Sequence, residues 1–113
     1  MSVFIFSSIA VDAFAELDNS KACIKYQRAD YSWSRGYSVR GFFINGSELN
    51  VFARKNGYES NNKSNTIYFV VPWKQGGYTS LDIGRGFLYS YEEEVRDQNA
   101  KKWKIKKGWD RCN

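Results

Sequence analysis

Along most of the chain apolar residues recur at every second position, and that rhythm predicts strands. Ala22, Ile24 and Tyr26 alternate with Cys23, Lys25 and Gln27, as in a strand with one covered face. Near the other end Trp103 and Ile105 alternate with Lys102, Lys104 and Lys106, so the rings and aliphatics face one way and the lysines the other. A run over 37–44 leads into Asn45-Gly46 and on through 47–53. Asn-Gly supplies the positive φ angles of a type I′ turn, which predicts a hairpin there.

Ile67, Tyr68, Phe69, Val70 and Val71 form the most apolar stretch between the cysteines and predict a central strand. Pro72 falls near its end, where a missing ladder donor matters least. Lys74-Gln75-Gly76-Gly77 predicts a turn into a strand over 78–83. Gly84-Arg85-Gly86 predicts a bulge or kink, and 87–91 a resumed strand. Arg96, Asp97, Gln98 and Asn99 offer a further turn, and the Asn- and Ser-rich stretch 54–65 reads as a mobile polar loop. Segment 12–19, if the N-terminal apolar run is retained, is a place for a short helix and 92–101 for a helical turn, without a sustained apolar face in either. These elements predict an all-β fold, a small single-domain antiparallel β-barrel or sandwich of six to seven strands. Phe43, Phe52, Phe69, Trp73 and Trp103 are its expected core.

The N-terminus changes which residues belong to that fold. The apolar run 3–11, followed by Ala13 and Ala15 in a small-x-small pattern, predicts a signal peptide over 1–15 and a working domain over 16–113. The run is too short to span a bilayer. Cleavage places the protein in the periplasm or outside the cell; the competing reading is a buried first strand of a cytosolic domain. Cys23 and Cys112 sit at the two ends of the mature domain, and an oxidising compartment predicts a disulfide between them rather than two reduced thiols. Closing so long a loop is worth on the order of 4–5 kcal/mol in the chain-entropy model.

Candidate chemistry begins with an absence. The chain has no histidine, which excludes Ser-His-Asp and Cys-His machinery and removes the commonest transition-metal ligand. No metal and no cofactor is expected. Carboxylate catalysis needs only two acids across a cleft, so Glu48, Asp82, Glu92, Glu93 and Glu94 keep a small glycan hydrolase open as an alternative. The consecutive glutamates read more simply as a solvated charge run.

Charge and aromatic content point to binding instead. Seventeen basic side chains against twelve acidic ones give a net charge of +5, and Lys101, Lys102, Lys104, Lys106, Lys107 and Arg111 crowd the C-terminus against Asp110 alone. Such an end attracts acidic partners, or protects an edge strand from aggregation. Four Trp, eight Tyr and eight Phe are a heavy aromatic load. In 30–37 rings alternate with serines, so Tyr31, Trp33, Arg35 and Tyr37 are the expected contact residues, with Lys102, Lys104 and Lys106 supplying electrostatic steering. The alternative packs those rings inward. The predicted function is a non-catalytic binding domain, of inhibitor or immunity type, acting on an acidic protein or glycan partner. If the leader is retained in the cytosol, a single-stranded nucleic-acid-binding barrel becomes the leading alternative.

Overall fold

A computed structural model describes residues 19–113. The predicted signal peptide over 1–15 lies outside the described residues. Six strands and one helix follow in the order β1 (Ser20–Tyr26), β2 (Tyr37–Asn45), α1 (Gly46–Lys55), β3 (Ile67–Pro72), β4 (Tyr78–Asp82), β5 (Glu93–Arg96) and β6 (Lys102–Lys107). All neighbours are antiparallel in one sheet of order β4-β3-β2-β1-β6-β5. The sheet curls into a half-barrel whose edge strands meet at a single bridge between Leu81 and Asp97. Gln98 reinforces that seam, accepting from the Ser80 amide at 2.9 Å and donating to the Tyr78 carbonyl at 2.7 Å.

The curl has its corner in β2. That strand pairs with β1 up to Gly41 and with β3 from Phe42 onward. At the corner the backbones come so close that a Cβ on Gly41 would stand 2.5 Å from the Phe69 ring and 2.6 Å from the Val70 carbonyl oxygen. Only glycine fits a bend of this kind. Inside the curl Ala22, Ile24, Phe69, Val71, Leu81 and Ile105 form the main core, with Phe43, Trp73 and Trp103 packed against it. The expected core rings are therefore inside, except Phe52. Phe52 joins a second cluster of Phe42, Leu49, Tyr68 and Val70, which lies between the sheet and α1. Phe42 and Phe43 point to opposite faces, and both faces are covered here.

The predicted hairpin at Asn45-Gly46 is instead the start of α1. Asn45 has extended backbone angles and its side-chain oxygen accepts the Glu48 amide at 2.8 Å, while its side-chain nitrogen donates to the Glu48 carboxylate. That reciprocal cap nucleates a helix where a type I′ turn would have needed positive φ. Leu49, Phe52, Ala53 and Asn56 then recur at helical spacing on the covered face. The loop after α1, expected to be mobile, is tied down. Asn50 exchanges hydrogen bonds with Asn62, and the Tyr68 hydroxyl accepts the Lys63 amide at 2.9 Å.

Two further expectations change. Residues 87–91 are not a strand but an extended crossing, held to β6 by the Lys107 amide donating to the Tyr89 carbonyl. The helical turn considered over 92–101 is β5 and a tight turn, because the glutamates pair with cations at strand spacing. The disulfide Cys23–Cys112 is formed, with Cα atoms 5.4 Å apart. Its role is not to join the first and last strands. Strands β1 and β6 already pair directly, with Cys23 opposite Lys106, so the bridge instead straps the tail 108–113 across the outer face. The strap lies flat because Gly36 is beneath it: a Cβ there would fall 1.5 Å from the Cys112 carbonyl oxygen.

Candidate functional site

Strand β1 continues past Tyr26 into a tight hairpin that returns at Trp33, with Gln27 bridged to Trp33. The turn is closed by the Arg28 amide donating to the Ser32 carbonyl at 2.7 Å and the Tyr31 amide to the Arg28 carbonyl at 2.9 Å. Asp30 accepts from both the amide and the hydroxyl of Ser32, which holds its carboxyl below the usual range. Gln27 donates to the Tyr31 carbonyl, and Arg28 to the Trp33 carbonyl. Tyr31 stands at the apex of this lattice, 79% exposed, with φ at 70°. A bulky side chain in the left-handed region costs about 1–2 kcal/mol.

Between this hairpin and β2 the chain carries a bulge. Lys25 and Tyr26 of β1 face Ser34, Arg35 and Gly36, so one residue is extra and the strand bends. The bulge splits the four residues predicted for contact. Trp33 stays on the outer face, where the Lys104 Nζ lies 4.7 Å from its ring centre. Tyr37 is half-buried, packed against the main core and stacked on Tyr26 at 6.1 Å, with Arg35 over its ring at 4.5 Å.

The lysines predicted for steering line the outer face of β6, and each has a partner. Lys102 pairs with Glu94 at 3.6 Å, and Lys106 donates to the Asp110 carbonyl at 2.9 Å, fixing the tail. Glu92 pairs with Lys25 at 2.6 Å. That hydrogen bond, and then the nearby charges of Lys25, Lys104 and Lys106, hold the Glu92 carboxyl below its ordinary value. Glu93 faces the other way and pairs with Arg85, whose guanidinium also lies 3.9 Å from the Tyr89 ring centre. Arg85 is held above its usual range by that carboxylate. The remaining acids considered for glycan hydrolysis are likewise engaged, Asp82 with Lys63 and Glu48 in the α1 cap.

A second constellation lies where the tail crosses β1 and β2. The Trp109 indole donates to the Val39 carbonyl at 2.9 Å, and both Lys21 Nζ (4.8 Å) and the Arg40 guanidinium (4.9 Å) rest over its ring. Lys21 and Arg40 are register partners on adjacent strands, so the sheet itself brings the charges together. Two clefts open beside them, of about 560 and 640 Å³, and both are lined by Asn19 and Arg40. Linear reading missed this cluster because its members come from three separate segments.

Among the described residues no group of His, Cys, Asp and Glu could hold a metal ion, and no helix is long and apolar enough to cross a membrane. Comparison with known proteins finds no family model, no curated protein and no solved structure that matches the chain.

Proposed function

We propose that this is an exported, non-catalytic binding domain that captures a protein partner through the hairpin centred on Tyr31, in the manner of an inhibitor. The disulfide fits an oxidising compartment, which supports the export. One observation carries the reading. An aromatic side chain is held out to solvent at an unfavourable backbone angle, on a turn rigid enough to keep it there. The turn over 97–101 repeats this backbone pattern with Ala100 at φ 63°, so the angle comes with the turn, and what is particular to this one is the large exposed ring at that position. A pre-organised ring also loses little entropy on docking. Trp33 and Lys104 extend the surface from the apex down the outer face.

The test exploits the strain. Tyr31→Gly removes about 1–2 kcal/mol of backbone cost and adds about 0.5–1 kcal/mol of chain entropy, so stability should hold or rise slightly. Wild-type oxidised domain and the Tyr31→Gly and Trp33→Ala variants serve as baits for secreted and envelope fractions, with thermal melts run in parallel. The expected result is a protein retained by the wild type and lost from both folded variants. Unfolding of both variants would show that the rings hold the domain together, and equal retention would remove the hairpin from the interface.

A further inference from the structure

From the clefts beside Trp109 we infer a separate binding site for an anionic polysaccharide, a sugar chain bearing carboxylate or sulfate groups. It is independent of the Tyr31 hairpin. The first cleft is lined by Lys21, Arg40 and Lys107 with Phe43, Phe87 and Leu88, the second by Arg40 and Lys74 with Trp73 and Trp109. No carboxylate among the described residues lines either cleft. Among the described residues none of these four cations belongs to an ion pair. No acid among the described residues offsets their field, and a low-dielectric cleft wall concentrates it.

The geometry selects a chain over a single ion. Asn19 and Arg40 line both clefts, so a ligand track laid across the pair meets cations at intervals and aromatic walls on either side of Arg40. Repeating charges on a polymer match spaced cations, and the apolar faces of sugar rings match exposed indole and phenyl surfaces. The track is also pre-organised. The disulfide and the Lys106 bond to the Asp110 carbonyl hold the tail, the tail holds Trp109, and the indole ring holds Lys21 and Arg40.

Titration of the oxidised protein with a heparin octasaccharide, neutral maltooctaose and an oligothymidylate of matched charge tests the site. Heparin should bind with an affinity that falls as salt rises, and maltooctaose should not bind. Arg40→Gln should weaken heparin at least about tenfold, as loss of a charge-assisted contact does. Lys104→Gln, in the compensated ladder, should change it less than about twofold, and Tyr31→Gly should leave it unchanged. If Arg40→Gln does not fold, the exposed pair Lys74→Gln with Lys107→Gln carries the same expectation. Absence of heparin binding, equal losses from the Lys104 and Arg40 variants, or tighter binding of oligothymidylate would each overturn the inference.

Discussion

The outer face of β6 and the crossing at Trp109 hold similar numbers of cations and behave as opposites. On β6 the lysines are dense in sequence, yet the register places Glu94 opposite Lys104, and Glu92 reaches Lys25 on the next strand. Opposed charges on one face cancel at a distance. At the crossing Lys21, Arg40, Lys74 and Lys107 are scattered along the chain and converge with no acid among the described residues that line the clefts. A run of like charge in a sequence is thus a poor guide to where a protein is electropositive. Pairing decides it, and pairing follows from topology.

The largest effect that separates the two regions should come from the disulfide. Replacing Cys23 and Cys112 together by alanine removes up to about 4–5 kcal/mol on the chain-entropy model. Where the domain still folds, the loss should be local. The tail 108–113 detaches, amide hydrogens of Gly108 and Cys112 exchange freely, and the Trp109 cluster falls apart. The ladder keeps its protection because β1, β6 and β5 hold it by strand pairing alone. Hydrogen exchange read by mass spectrometry distinguishes these outcomes. Equal loss of protection in both regions would mean that the bridge serves the whole barrel.

That contrast also explains what the sequence could and could not disclose. Strands β1 and β6 are legible because period-two alternation directly encodes one covered face, and two cysteines leave one intramolecular pairing. Helix α1 was hidden because Leu49, Val51 and Ala53 alternate as a strand does, and Asn45-Gly46 also fits a turn. The decisive signal was the Asn45-x-x-Glu48 spacing of a helix cap, which leaves Val51 on the exposed side. Phe87, Tyr89 and Tyr91 alternate too, but their rings pack on one another and on Arg85 rather than on a neighbouring strand. Of the residues proposed for binding, Tyr31 and Trp33 could be named from local composition. The positive φ of Tyr31 and the fixed turn around it could not, since they depend on hydrogen bonds that Gln27 and Arg28 donate and Asp30 accepts. The Trp109 cluster depends on register and on the path of the tail, which no local pattern carries.

If compensation is what silences the ladder, removing the acids should awaken it. Glu92→Gln with Glu94→Gln leaves Lys25, Lys102 and Lys104 without their counter-charges. The double variant should bind the heparin octasaccharide more tightly by on the order of 1 kcal/mol, about fivefold, and its affinity should fall more steeply with salt. Unchanged affinity and salt dependence would mean that the ladder lysines are held too firmly by other contacts to reach a ligand.

The smallest effect lies in acid. Glu92 has its carboxyl held below the ordinary value of 4.5 by the Lys25 hydrogen bond and the surrounding lysines. The folded state therefore binds its proton less readily than the unfolded chain, and the pair contributes stability that is fully present above 4.5. That contribution is lost as the pH falls through the depressed value. For a surface pair it is about 0.2–1 kcal/mol, which moves the melting temperature of a domain this size by a few degrees at most. The difference in Tm between wild type and Glu92→Gln should be constant at neutral pH and close toward zero at strongly acid pH. A gap that persists in acid would assign Glu92 a packing role instead. Arg40→Gln is the control that completes the contrast: with no carboxylate among the described residues lining its clefts, its stability offset should be the same at neutral and acid pH.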